Sequence, residues 1–260
     1  MKIGLNYLEK IFLKKGFLVN LVENKKALNY INNFTKEKLL KIIYPAVNNS
    51  KKFSFNNLHK LVEYKNLNKI RLDLIEEINK NKNFRNCYFN LAKNKLFEVV
   101  GNELSMQNNI NISIQFPNDQ TSLLPMHSDT WSGDSPFEVV VWLPLVNCYK
   151  SKSMFILEAS KDAKFRKLYS KNFKFSSNLY KSIKKDLKFI KIDYGQFLLF
   201  NQNLPHGNII NTTKETRFSF NCRFKGLFTP YSQKKLGSFF SPIKVRAASI
   251  VGLNYKFPGE

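Results

Sequence analysis

Cysteine is scarce in this chain: three residues in 260, Cys87, Cys148 and Cys222, far apart and odd in number. A disulfide framework needs pairs and a thiolate metal site needs close spacing, so both are excluded, and a reducing, cytoplasmic location is expected. No apolar run approaches the roughly 18 residues of a membrane span. The opening Met1-Lys2-Ile3-Gly4-Leu5-Asn6 lacks the long apolar core of a signal peptide. Acidic residues are few, 19 against 42 Lys and Arg, which leaves a net charge of +23. Such a charge invites a nucleic-acid reading. Arginine, however, is nearly absent, 6 against 36 Lys, and the lysines are spread along the chain rather than gathered. That pattern is what an AT-rich coding sequence produces, so no specific nucleic-acid partner is expected. A basic surface still favours anionic small molecules, such as phosphorylated or nucleotide-linked sugars. The sequence leaves the oligomeric state open.

Histidine is equally rare, and its placement is informative. Of His59, His127 and His206, two fall around an acid in the pattern His127-Ser128-Asp129 … His206, with Arg217 eleven residues beyond. Residues i and i+2 of an extended segment point the same way, so His127 and Asp129 can reach one ion while Ser128 points away. Two imidazoles and one carboxylate form the facial triad that holds non-haem Fe(II) and leaves coordination positions open. The plainer alternative makes His127 a turn residue and His206 a loop cap. His59 reads as a surface or boundary residue. Arg217, Ser219 and Asn221 share one face of a predicted strand and Phe218 and Phe220 the other, which suggests a polar cavity. A buried guanidinium needs an anion, either a carboxylate ligand or an internal partner such as Asp193 or Glu215.

Residues 1 to 105 read as mainly helical support. Leu5, Leu8, Phe12 and Leu13 recur at helical spacing, a second helix is predicted over Thr35–Tyr44 with Pro45 as its stop, a third over Phe55–Lys80 and a fourth over Tyr88–Leu104. From Asn111 the period becomes 2, with Ile112, Ile114 and Phe116 alternating with polar residues. Further strands are expected over 137–145, 153–157, 189–192, 196–200, 207–210 and 217–224, with a polar insertion at 158–187 carrying two helical turns. One domain over 1–260 is the simplest organisation. Its class is α+β, with a core over 106–225 of about eight strands as a jelly-roll, cupin-like double-stranded β-helix. The extension 226–260 is expected to pack over the barrel through Phe228, Tyr231, Phe239, Phe240 and Tyr255.

Tyr194-Gly195-Gln196-Phe197-Leu198-Leu199-Phe200, His206-Gly207-Asn208, Asn211 and Arg217-Phe218-Ser219 resemble the C-terminal half of the Fe(II)/2-oxoglutarate-dependent oxygenases. The stretch His127-Ser128-Asp129-Thr130-Trp131-Ser132-Gly133-Asp134-Ser135-Pro136, with Trp142-Leu143-Pro144-Leu145, is similar to a StrG-like, phytanoyl-CoA-hydroxylase-like bacterial subgroup from carbohydrate-biosynthesis clusters. The resemblance spans residues 110 to 255. It implies His127, Asp129 and His206 as Fe(II) ligands and catalytic centre. It further implies 2-oxoglutarate as co-substrate, with Arg217 and Ser219 on its distal carboxylate, and O2 as oxidant. Succinate and CO2 would be released as a small-molecule substrate is oxidised. Gln115 and Asn208 are further candidates to hold 2-oxoglutarate, or are ordinary polar strand residues. Trp131 could stack on a sugar ring and Asp134 bond its hydroxyls, or the two could pack and cap a loop. Arg223 and Arg246 could meet an anionic substrate group, or sit in salt bridges. Two other readings stand beside this one: a non-catalytic jelly-roll protein with a structural metal, and an oxygenase for an amino acid, lipid or small acid.

Overall fold

The computed structural model describes residues 4–44, 53–172 and 176–259. Helix α1 (Tyr7–Lys15) opens on a reciprocal cap: Asn6 Oδ1 accepts from the Glu9 amide and Glu9 Oε2 accepts from the Asn6 amide. It ends at Gly16, whose φ of +79° is left-handed and where a Cβ would lie 2.1 Å from Leu204 Cδ1. The chain then enters strand β1 (Phe17–Leu21), in a half expected to be mainly helical, with no strand foreseen there. Five residues are too few for periodicity to separate strand from helix. Pairing with residues 196–200 decides the matter.

Helix α2 (Lys25–Ile43) starts ten residues before the expected Thr35. Thr35 is not a cap; it is fully buried within the helix and its Oγ1 donates to the Ile31 carbonyl at 2.6 Å. The expected stop, Pro45, lies outside the described residues. The predicted Phe55–Lys80 helix divides into a 3-10 turn at Phe55–Lys60 and α3 (Tyr64–Asn79). The predicted Tyr88–Leu104 helix is replaced by α4 (Lys82–Asn90), α5 (Lys93–Val99) and strand β2 (Leu104–Gln107).

Beyond it the chain is mostly strand: β3 (Asn111–Gln115), β4 (Glu138–Pro144) and β5 (Phe155–Leu157). The polar insertion holds two helices, α6 (Ala159–Asn172) and α7 (Ser176–Ile183). Phe165 and Ile183 from them join Met126, Phe155 and Leu157 in a small second core. The strands resume with β6 (Leu187–Phe189), β7 (Gln196–Asn201), β8 (His206–Gly207), β9 (Arg217–Gly226) and β10 (Phe240–Lys244). Helix α8 (Ala247–Asn254) follows.

These ten strands form two antiparallel sheets. One runs β1-β7-β4-β9-β2-β10, with β3 added on the first half of β9, and the other runs β6-β5-β8. The class is thus the expected mixture of helix and antiparallel sheet, with more strands than predicted because β1, β2 and β10 were not foreseen. Strand β9 organises the large sheet. Its even residues Phe218, Phe220, Cys222 and Phe224 are all buried. Phe55, Phe84, Tyr88 and Phe89 from the helical half meet them, with ring centroids 4.7–6.4 Å apart. The helices therefore buttress one face of the sheet, and the odd residues of β9 are left to face the other way.

The extension only partly covers this body. Phe240 is fully buried and Tyr231 reaches Ser105 Oγ at 2.9 Å, but Phe228 and Tyr255 are about 60% exposed. Helix α8 buries no residue. Of the five aromatics expected to pack, Phe240 is buried and Tyr231 and Phe239 are half-buried, while Phe228 and Tyr255 are not covered.

Candidate metal centre

The two histidines are cross-strand neighbours. The His127 amide donates to the His206 carbonyl at 2.9 Å and the His206 amide returns the bond at 2.8 Å. That pairing sets the imidazoles side by side, centroids 4.3 Å apart. Each ring is oriented from behind: Nδ1 of His127 lies 2.8 Å from the Pro125 carbonyl, and Nδ1 of His206 lies 2.8 Å from the Leu204 carbonyl. A carbonyl can only accept, so each Nδ1 carries the proton and each Nε2 keeps its lone pair. Asp129 opens the short 3-10 turn Asp129–Ser132, and its Oδ1 lies 3.4 Å from His127 Nε2 and 4.0 Å from His206 Nε2. One ligand atom from each residue falls within 4.8 Å of the others, a spacing that suits a shared ion. Gly207 keeps the approach close: a Cβ there would lie 2.8 Å from the Leu124 carbonyl oxygen.

The electrostatics of His206 and Asp129 match metal-ligand states, while His127 is biased toward its protonated form, a proton that a bound ion would displace. Burial pulls the His206 pKa down to about 4, against the pull of Asp129, so this imidazole is neutral at neutral pH. Burial also opposes charge on His127, but Asp129 and the Pro125 carbonyl outweigh it and raise the pKa. Burial alone would raise Asp129; His127, His206 and Arg223 instead hold it well below the usual carboxylate range.

Arg223 does not face outward for substrate. Its Nη2 binds Asp129 Oδ2 at 3.0 Å and Asp134 Oδ2 at 3.2 Å, and its Nε donates to Gln202 Oε1 at 2.9 Å. Lys234 holds the other Asp134 oxygen at 2.6 Å. Gln202 also donates to Glu138 Oε2 at 2.9 Å. Asp129 is thus presented with Oδ1 toward the imidazoles and Oδ2 tied behind, which favours one-oxygen ligation. Asp134 has both oxygens in ion pairs, so the loop-capping alternative describes its placement better than a bond to sugar hydroxyls.

Arg217 is the other arginine on the same face of β9, and among the described residues no acid pairs with it. It is 3% exposed, its Nη2 donates to Ser113 Oγ at 3.0 Å, and its Nε is buried without a hydrogen-bond partner. The internal candidates are elsewhere: Glu215 pairs with the buried Lys152 at 2.6 Å, and Asp193 is exposed. Burial draws the Arg217 pKa down to about 10, so it is still charged at neutral pH. Arg217, the His-Asp-His group, Asn208 and Arg223 all line one cavity of about 320 Å³.

The remaining candidates are distributed unevenly. Gln115 and Ser219 sit in register with Arg217 and Ser113 respectively but do not line the cavity. Gln115 Nε2 donates to the Ile209 carbonyl at 2.8 Å, and Ser219 Oγ to the Ser113 carbonyl at 3.3 Å. Asn208 lines the cavity while its Oδ1 accepts from the Leu124 amide at 2.7 Å. Trp131, 40% exposed, stacks on Phe165 and borders a separate cleft of about 420 Å³ with Thr130, Asp134 and Asn203. Arg246 is exposed beside Phe97, away from the cavity. The sequence reading missed Ser113 and Asn111, whose alternation in β3 puts them opposite Ser219 and Asn221. It also missed Gln202 and Lys234, for which no local signal exists, and the role of Glu138, whose signal is an acid inside the apolar run 137–145.

No family model matches the chain, and no curated protein does. Solved structures do. The non-haem monooxygenase ThoJ, in its nickel complex, is 13% identical over 92% of this chain and 84% of its own, with a TM-score of 0.53. HygX from Streptomyces hygroscopicus, with nickel and 2-oxoglutarate bound, is 14% identical over 90% and 91%, with a TM-score of 0.52. The chain shares their fold. EctD from S. alaskensis, with bound iron, is a further match at 11% identity over 86% and 77%, TM-score 0.51.

Proposed function

We propose that this protein is an Fe(II)- and 2-oxoglutarate-dependent oxygenase that oxidises, and in the simplest outcome hydroxylates, a carbohydrate or sugar-linked small molecule. The observation that carries the reading is Arg217: a buried, acid-free guanidinium in the cavity that also holds the His127-Asp129-His206 group. A site that buries a cation without an anion is built for an anionic ligand. The donor set, two imidazoles and a carboxylate, suits Fe(II) and leaves positions open. The orphaned Arg217 Nε and the Ser113 hydroxyl suit a carboxylate.

His127, Asp129 and His206 would hold the metal, and Arg217 with Ser113 would orient the co-substrate through its distal carboxylate. When bound, iron and 2-oxoglutarate would together activate O2, one oxygen atom going into succinate as CO2 leaves and the other to the substrate. The chain's part is positioning. The carbonyls of Pro125 and Leu204 fix the imidazole tautomers, and Arg223 fixes the carboxylate. Val140, Trp142, Met154 and Phe200 wall the cavity with apolar surface and limit water. The sugar assignment rests on the exposed Trp131 face in the adjoining cleft and on the strongly basic chain, which favours anionic sugar derivatives.

The test is succinate release from 2-oxoglutarate with Fe(II), screened over phosphorylated and nucleotide-linked sugars beside amino acids and small acids. Turnover stimulated by a sugar derivative and lost in His127→Ala and His206→Ala supports the reading. Stimulation by an amino acid alone removes the sugar assignment. Metal binding with no 2-oxoglutarate turnover under any condition removes the enzyme.

A further inference from the structure

The chain between Thr216 and Gly259 contains no Asp or Glu. It carries Lys235, Lys244, Arg246 and Lys256 besides the arginines of the cavity and the paired or buried Lys234 and Lys225. Its last part, α8 and the residues after it, reads Ala-Ala-Ser-Ile-Val-Gly-Leu-Asn-Tyr-Lys-Phe-Pro. Ile250, Val251, Leu253, Tyr255 and Phe257 are 49%, 69%, 59%, 60% and 66% exposed. A helix that is apolar on every side is normally buried. This one is not, although its start is fixed: the Arg246 amide donates to Glu103 Oε1 at 2.8 Å, and the Arg246 guanidinium lies 5.9 Å from the Phe97 ring. The apolar residues are therefore held outward by an anchored first turn.

We propose that this segment docks the protein on an anionic membrane surface, with Ile250, Val251, Leu253, Tyr255 and Phe257 entering the headgroup boundary and Lys244, Arg246 and Lys256 meeting lipid phosphates. The charge pattern selects this occupant. Exposed apolar side chains flanked by cations, with aromatics among them, match a surface that offers an apolar layer beneath anionic phosphates; the polar contacts come from the flanking residues, since α8 itself carries no charge. A nucleic acid would meet the cations but offers nothing to cover Ile250, Val251 and Leu253. A second copy would bring another net +23 to the contact and be repelled. The contact is peripheral, since no helix among the described residues is long and apolar enough to cross a membrane.

The experiment is co-sedimentation of the full chain with vesicles of phosphatidylcholine alone and with 30% phosphatidylglycerol, in 0.1 M salt. The wild type is compared with Val251→Asp/Leu253→Asp and with a charge-matched control, Leu13→Asp/Leu72→Asp, at two other exposed apolar positions. Because α8 buries no residue, the test variant should melt with the wild type. Expected is binding to the anionic vesicles, little to the neutral ones, and a loss of about tenfold or more in affinity in the α8 variant only. Equal binding by all three proteins would assign the effect to diffuse positive charge and overturn the proposal. So would equal binding to neutral vesicles, no binding to either, or a wild-type dimer by light scattering that the α8 variant abolishes.

Discussion

Replacing Arg217 by Met should do two opposite things. In the absence of ligand it should stabilise the protein, because the guanidinium is a buried cation whose Nε has no partner and whose Nη2 finds only Ser113. Burial lowers its pKa from 12.5 to about 10, a drop worth on the order of 3 kcal/mol. The unfolded chain binds this proton more tightly than the folded one, so the penalty is fully present at neutral pH and fades as pH climbs past about 10. Met keeps much of the volume while removing the charge, so the ligand-free variant should gain up to roughly 3 kcal/mol, less some packing loss. For a chain of this size that means a Tm higher by about 2–4 °C per kcal/mol. Ligand binding should change the other way. Truncating one member of a desolvated, charge-assisted pair costs about 2–5 kcal/mol, which is roughly 30- to several-thousand-fold in the Kd of 2-oxoglutarate at about 1.4 kcal/mol per decade. Arg217→Lys should recover only part of this, because an ammonium lacks the planar fork. Anaerobic titration of 2-oxoglutarate into the Fe(II) protein gives the affinities, and thermal melts of the ligand-free proteins give the stabilities. Unchanged affinity in Arg217→Met would remove the carboxylate assignment. A Met variant several kcal/mol less stable without ligand would show that Arg217 serves the fold.

Arg223→Leu should have the reverse profile without ligand: it strips Asp129 and Asp134 of a shared buried partner, at a cost of about 3–5 kcal/mol read by urea denaturation. The cysteines should prove irrelevant to the metal. Burial pushes Cys148 and Cys222 up to about 12, so iodoacetamide at pH 8 should label Cys87 alone, and the labelled protein should keep full metal stoichiometry by elemental analysis. Lys152→Met should cost little, within about 1 kcal/mol by thermal melt, because its partner Glu215 is part-exposed and can turn to water.

The grouping of His127, Asp129 and His206 was legible in the sequence because its signal is largely local. His127 and Asp129 differ by two residues, and the alternation of β9 announces a polar face with Arg217, Ser219 and Asn221 on it. What supports that group was not legible. Arg223 is visible on the same face, but its partners Asp134, Glu138 and Gln202, and the Lys234 that shares Asp134 with it, come from three separate stretches and meet only when β4 pairs with β7 and β9 and the extension folds back. The same physics explains the missed strands. Phe17–Leu21, Leu104–Gln107 and Phe240–Lys244 are each four or five residues long, and their conformation is set by partners far along the chain. The helical half erred in boundaries, since apolar spacing does not mark where Phe55–Lys60 tightens and turns into α3.

The two arginines of β9 close a charge argument that neither carries alone. The charged side chains that line the cavity are Asp129, Arg217 and Arg223; Arg223 also serves Asp134 and Glu138, while Arg217 has no acid among the described residues. A divalent cation entering alone would add positive charge beside two guanidinium groups in a poorly solvated space, and a dianion bound with it offsets that charge. The cation would sit at His127-Asp129-His206 and one end of the dianion at Arg217. Each should therefore tighten the other, and linkage requires the factor to be the same in both directions. Titrating Fe(II) with and without 2-oxoglutarate, and 2-oxoglutarate with and without a divalent ion, measures that factor twice. Two equal factors well above one are expected in the wild type, shrinking in Arg217→Met where the dianion loses its far contact. Independent binding in the wild type would mean that the ion and the dianion do not share this cavity.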